Sequence, residues 1–349
     1  MENLFEYRRE LDSLRFSDEE KARLIGELAA AQPKAHRRPV KRMVLVAAAL
    51  TAVLVVGAGA TGVLKDAVEV FSPLLGGSVA QTEVIDKIGR PIGAGDTDKG
   101  VTITADAIIG DQYNACIVYT ISRDDGTPLL PEDIGSHQLL VGGTGGTDLN
   151  VRGGTHGSAW FVDEVPGDDT IQYVETISAD SPLTHTTAKA EFDGLYWLDE
   201  DQGKRVPIVE GHWKFRFDVD YEDASVSLGG GKTFEQDGMT FAIKDVLVSP
   251  VAVRVEYEVD SEVNWSNAPS GRVSDADQRA QQRYFENVEV LLTKSDGTVM
   301  DLSSSGGSIR PENGKTHCVK GEVLEQVIPI EEMESLSVGG IVFPIQNNG

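Results

Sequence analysis

The residues able to do chemistry are few and poorly spaced for it. The six histidines, His36, His137, His156, His185, His212 and His317, include no pair at i, i+4 of the kind that holds zinc on one helix face. His317 and Cys318 are adjacent in a strand-like context, where successive side chains point to opposite faces and do not share a metal. Cys116 and Cys318 are the chain's two cysteines, which excludes a four-cysteine zinc site and a disulfide-stapled miniature fold. An oxidising compartment would permit a bridge between them, but two unpaired thiols are the simpler expectation. The acidic groups Asp163-Glu164 with Asp168-Asp169, and Asp218, Asp220, Glu222 and Asp223, offer oxygens to a hard cation such as calcium. Solvated turns and an outward strand face account for them equally well. Gly229-Gly230-Gly231-Lys232-Thr233 imitates a phosphate loop, yet the pattern requires glycine where Val226 stands. No nucleophile elbow, paired-histidine metalloprotease motif or calcium-binding loop occurs. The expectation is a protein with no catalytic residue, no metal and no cofactor, and not an enzyme.

Such a chain must act by position and contact, so its segments matter more than its motifs. The chain has 349 residues, 40% of them hydrophobic, enough for packed cores, and a formal charge of −25. Residues 1–42 carry ten Lys/Arg against eight Asp/Glu, a net +2, which leaves −27 on residues 43–349. So acidic a surface repels phosphate backbones and excludes nucleic acid as its partner.

Met43 to Leu64 run without a charge, and as a helix they reach about 33 Å, enough to cross a hydrocarbon core. Lys34, Arg37, Arg38, Lys41 and Arg42 precede this span, so the positive-inside bias places the N-terminus in the cytoplasm and residues 65–349 outside. Ala58-Gly59-Ala60 fits a signal-peptidase site, but the long charged segment upstream argues for an uncleaved anchor in the cell membrane. Ahead of the span, Leu4, Tyr7, Leu11 and Leu14 share one helical stripe. Ser17-Asp18-Glu19-Glu20 has the form of a capping box, opening a second helix with Leu24, Ile25 and Leu28 that ends before Pro33. Two short amphipathic helices cannot bury both apolar faces alone, so these seven side chains are the expected partner-binding surface.

Residues 65–96 read as a connector, with Pro73 and Gly76-Gly77 breaking any continuation of the span and Ile85, Ile88 and Ile92 forming an apolar patch. Strand texture follows. Ala115 to Ile121 form a β-branched and aromatic run, and Trp213, Phe215, Phe217, Val219 and Tyr221 alternate with polar residues at period two. Gly100/Gly238, Thr102/Thr240 and Tyr119/Tyr257 share an offset of 138, the mark of an internal repeat. The expected architecture is mainly β outside the membrane: two tandem immunoglobulin-like sandwiches, 97–223 and 224–349, after the helical hairpin 1–42 and the transmembrane helix 43–64. The polar run Ser274 to Arg283 suits a short helix inserted in the second block, and the glycine-rich stretch 143–157 suits an exposed flexible loop that could serve as a recognition surface for an unspecified ligand.

The order of parts resembles a family of Gram-positive bacterial single-pass membrane proteins that carry an extracytoplasmic domain of unknown function and are often labelled anti-sigma-factor-like. The resemblance rests on the leader Leu11 to Leu28, the basic stop, the span, KGVTITADAIIGD at Lys99 to Asp111, and KDVLVSPVAVRVEY at Lys244 to Tyr257. It implies that the cytoplasmic hairpin holds an extracytoplasmic-function sigma factor at the lipid bilayer while the outer part senses. Zinc-type members carry a cysteine motif in the leader, whereas residues 1–42 have His36 and no cysteine, so zinc is not expected. The alternative is an anchored surface binding or adhesion module in which the leader only sets topology. N-terminal sequencing of the mature protein should return the first residues of the chain; a start just after Ala60 would replace the anchor with a cleaved signal peptide.

Overall fold

The period-two run predicted around Trp213 becomes the longest strand of a fold built almost wholly from antiparallel pairs. The computed structural model describes residues 64–345, apart from 133, 135–136, 144–145, 184–185 and 267–272. Helices α1 (Ala67–Leu75) and α2 (Val79–Ile88) come first. The strands of the first half are β1 (Arg90–Asp98), β2 (Val101–Gly110), β3 (Asn114–Arg123), β4 (Leu139–Val141), β5 (Gly146–Asp148), β6 (Thr155–Val162), β7 (Thr170–Ala179), β8 (Thr186–Asp199) and β9 (Lys204–Val219). The second half adds β10 (Val226–Ser227), β11 (Thr233–Gln236), β12 (Met239–Val248), β13 (Ala252–Val259), α3 (Asp275–Gln281) with a π-helical turn at Gln282–Glu286, and then β14 (Val290–Lys294) and β15 (Val299–Asp301). It closes with β16 (Gly307–Glu312), β17 (Lys315–Val323), β18 (Met333–Val338) and β19 (Ile341–Pro344).

Each half encloses its own core between two antiparallel sheets, an arrangement consistent with a β-sandwich. In the first, the sheet β1-β2-β3-β7-β6 faces β8 with β4, β5 and β9, and Tyr119, Tyr173, Phe192 and Phe215 meet at tilted and edge-to-face angles between them. Trp213 is buried from β9 and donates its indole N–H to the Val101 carbonyl at 2.8 Å, so its polar edge is satisfied inside the core. The sheets are also stitched at one edge, where the Asp96 and Asp98 carboxylates accept backbone N–H bonds from Lys214 and His212 at 2.9 Å each. In the second half, β11-β12-β13-β17-β16 faces β15-β14-β18-β19.

The three identities at offset 138 are the visible part of a deeper correspondence. Lys99-Gly100 and Asp237-Gly238 both turn with positive φ at two successive residues, the two-residue hairpin geometry that matches strand twist. The register between β2 and β3 slips between Ala105 and Ala107, and that between β12 and β13 slips at the equivalent point, between Ile243 and Asp245. Tyr119 then faces Ala105 and Tyr257 faces Ile243, and the next chain reversals close with Asp111 N–H to Asn114 O and Ser249 N–H to Ala252 O, both 2.9 Å.

The stretch 65–96 differs from the expected connector. It forms α1, α2 and the edge strand β1, because the outer face of the first sheet is itself apolar: Ala107, Ile109, Cys116, Val118 and Val174 need a cover. The buried stripe Ala67, Val70, Phe71 and Leu75 of α1, with Ile85 and Ile88 of α2, supplies it. Asp66 caps α1, and Ser78 with Gln81 forms a capping box on α2. Residues 143–157 also differ from the expected loop. Within that stretch β5 pairs with β8, Leu149 packs into the core of the first half and β6 begins, while residues 152–155 are exposed. The predicted helix at Ser274–Arg283 is α3, capped by Ser274 and continued by the π-helical turn.

A second part of the same apolar layer comes from the other half, in Val251 and Val327, and the two halves belong to one compact unit. At the turn between β2 and β3, Asp111 is buried with four donors. Its Oδ1 accepts from the Tyr113 and Asn114 backbone N–H groups and the Asn114 amide, each at 2.9 Å, and its Oδ2 accepts from the Ser249 hydroxyl at 2.6 Å. Burial nevertheless pushes the Asp111 carboxyl above the usual carboxylate range, with these bonds pulling the other way. Asp111→Ala leaves several buried donors unpaired and should cost about 3 kcal/mol in urea unfolding, against about 1 kcal/mol for Ser249→Ala.

Candidate functional site

The expected partner-binding side chains Leu4, Tyr7, Leu11, Leu14, Leu24, Ile25 and Leu28, and the span from Met43, lie outside the described residues. Leu64, the predicted end of the span, is exposed. Among the described residues no helix is long and apolar enough to cross a membrane. Directly after Leu64, the Lys65 ammonium donates to Asp106 Oδ2 at 2.9 Å and to Thr120 Oγ1 at 2.8 Å on the outer face of the first sheet. Asp106 sits at the bulge of β2 and is buried, so the chain is gripped as soon as it leaves the predicted span.

From there the chain runs into a joint made by both halves. Leu75 at the end of α1 accepts the Val327 N–H at 2.8 Å, and the Gln81 amide donates to the Val327 carbonyl at 2.9 Å. Asp180 receives the Ser308 hydroxyl at 3.1 Å and faces the Arg310 guanidinium at 3.6 Å. On the other side the buried Arg254 lies 4.1 Å over the centre of the Tyr113 ring. Arg254 is fixed by the Glu256 carboxylate at 3.1 Å, which also takes the His317 Nε2 at 2.9 Å. These partners, His317 first and Arg254 next, hold the Glu256 carboxyl down to about 2.

Between α1, the outer face of β6 and β7, and the end of β17 the joint leaves a groove of about 590 Å³. Trp160 stands on its floor, 39% exposed, beside Ser158, Thr176 and Ser178. Leu74, Leu75, Val323 and Leu324 make apolar walls. His156 is the notable polar group. It hydrogen-bonds the Gly321 backbone, its Nε2 is buried without a partner, and burial pushes the imidazole below its ordinary range. Gly306 lets the ring sit close, since a Cβ there would stand 3.0 Å from His156 Cδ2. Glu322 lines the same groove and accepts the Ser305 hydroxyl at 2.9 Å, without a cationic partner among the described residues.

Much of the other acidic clusters is taken up by local bonds, although Asp163 Oδ1 is buried without a partner. Asp168 and Asp169 accept from Thr170, Asp223 caps Ser225, and Glu222 faces Lys87 at 3.7 Å and Arg90 at 3.9 Å. Lys232 of the glycine run donates to the Val342 carbonyl at 2.8 Å and lies over the Phe343 ring, ahead of a strand rather than a helix. Cys116 and Cys318 are free and buried in different cores, their thiols pushed up to about 12 chiefly by burial. Glu191, Asp193 and His212 converge closely enough to face one cation. His212 is already bonded to Asp193, and Glu191 is paired with Lys189 and Lys214, with Lys189 the main cause of its depressed carboxyl pKa.

Asp111 and Ser249 lie in the two similar segments, His156 is one of six scattered histidines, and nothing local marks Trp160 or Glu322. Asp111-x-x-Asn114 has the form of a self-capping turn, and Ser249 is its equivalent at offset 138, so that pair had a signal; the groove residues, drawn from separate elements, had none. Because the Glu256 carboxyl is depressed in the folded state, its contribution is present above pH 4.5 and lost as pH falls from about 4.5 to about 2. Allowing for solvent screening, this amounts to roughly 2 kcal/mol. Thermal unfolding across that range should show the loss in the native chain and a flatter profile for Glu256→Gln.

No protein-family model matches the chain, and no curated protein matches it. Among solved structures, the conserved domain protein from Bacillus anthracis is 17% identical over 72% of this chain and 76% of its own, with a TM-score of 0.46. At that level the likeness bears on neither family nor activity.

Proposed function

We propose that the protein is a membrane-anchored regulator of the anti-sigma-factor type. In this reading two immunoglobulin-like sandwiches outside the membrane, 97–223 and 224–349, take an envelope signal. The span 43–64 passes it to the cytoplasmic hairpin 1–42, which holds a sigma factor. The observation that carries this over a passive surface anchor is the lack of slack after the span. Lys65 is bonded to Asp106 and Thr120, and α1 begins two residues later as part of the layer between the halves. A tether for an adhesion module needs reach and gains from flexible linker composition. A transmitter needs the opposite, a rigid path from the sensing surface to the helix, and a shift at the joint here has no loose segment to absorb it.

Affinity capture of the full-length chain from its own cells should recover a sigma factor, and Leu11→Glu with Leu24→Glu should lose it. Inserting eight Gly/Ser residues between Leu64 and Lys65 should leave the partner bound but abolish its release by envelope stress. Capture of no sigma factor, together with unchanged transcription on deletion, would sink the proposal. Full retention of stress response with the insertion would favour the passive anchor.

A further inference from the structure

The groove at the joint has an unusual balance of hydrogen-bonding groups. None of its lining residues is Lys or Arg. Its side-chain acceptors are in surplus: the Glu322 carboxylate has only the Ser305 hydroxyl, His156 Nε2 has no partner, and Glu325 stands exposed at the rim. An anion would meet two carboxylates and no cation. A purely apolar ligand would strip water from the Glu322 carboxylate without compensation. An ammonium or guanidinium group brings several donors and no acceptor, which is what this lining lacks. The Trp160 ring adds a face to which a cation is attracted, and the leucine and valine walls suit the aliphatic stem behind such a head group. The −25 charge of the chain draws cations toward the surface in general, and this groove sets an acceptor, a ring and an apolar wall side by side.

From this we infer that the groove formed by Trp160, His156, Glu322 and the end of α1 binds an organic cation, an ammonium or guanidinium head on an apolar stem. The head group sits at the Glu322 carboxylate within reach of the Trp160 ring, and the stem lies along Leu74 and Leu75. The same chemistry arrives either as a free alkyl amine or as a lysine or arginine side chain of another protein. Because Leu75 also carries the bond to Val327, an occupant touches the contact that locks α1 to the second half. That this contact would then act as the signal rests on the regulatory reading; the binding site itself does not.

The test is calorimetric titration of the full-length chain in detergent, at physiological salt, with agmatine, spermidine and the peptide Gly-Arg-Gly, and with propionate and butanol as controls. A one-to-one saturable isotherm is expected for the cations and none for the controls. Glu322→Gln should weaken binding by about tenfold or more, and Trp160→Ala by about fivefold. Glu200→Gln removes an equal charge from the exposed turn between β8 and β9 and should change nothing. Tighter binding of Gly-Arg-Gly than of agmatine assigns the site to a chain-borne side chain, and the reverse to a free amine; both uphold the chemistry. Absence of saturable binding, equal effects of Glu322→Gln and Glu200→Gln, or equal binding of propionate overturns it. Sigma-factor retention is then followed with agmatine present. Unchanged retention despite binding refutes the coupling and leaves the site standing.

Discussion

A sheet that is apolar on both faces cannot end at its own sandwich. The first sheet turns Ile117, Tyr119 and Ile121 inward and Ala107, Ile109, Cys116 and Val118 outward, and β3 is buried along nearly its whole length. At about 25 cal/mol per Å² of apolar surface, leaving such a face wet would cost several kcal/mol. The cover comes from two sources, the helix pair ahead of β1 and the second half of the chain. That one requirement determines where α1 lies, how the halves meet, and why the residues after the predicted span are part of the fold. Asp111 and Ser249 then fix the contact more narrowly than apolar packing alone, because a buried carboxylate needs its donors at definite positions.

What the sequence disclosed follows from how far each interaction reaches along the chain. Alternation from Trp213 to Tyr221 is a local property of one strand, and each of those five side chains is buried. The run from Ala115 to Ile121 showed a buried strand, though not that its two faces serve different cores. The stripe Val70, Phe71, Leu75 was present but short, and Pro73 and the glycine pair obscured it; only the sheet beneath explains why it folds. Offset 138 was legible in three identities, while the shared bulge left no mark because its residues are Asp106 in one half and Lys244 in the other. The groove drew on α1, β6, β7 and β17, which no window of sequence brings together.

The groove and the grip on Lys65 lie on the same outer face of the first sheet, which gives the joint two roles in one layer. One role is to hold the halves; the other is to leave room beside α1 that packing did not fill. Native interiors rarely leave such a space by accident, and a cleft lined by unmatched acceptors is costlier than an apolar one. The buried His156 Nε2 is the clearest sign of this, since the fold provides no donor for it among the described residues.

The contact between Asp111 and Ser249 also shows what a single chain permits that two identical copies do not. These residues occupy the same place in the two repeats, so the bond joins equivalent positions of the two halves. In two identical copies meeting this way, each residue would have faced its own twin, and twin aspartates would have had to share a proton or part. Two halves of one chain need not be identical. Position 111 carries the carboxylate and position 249 a hydroxyl that donates to it, a pairing that no symmetric assembly with the same residue in both places can make.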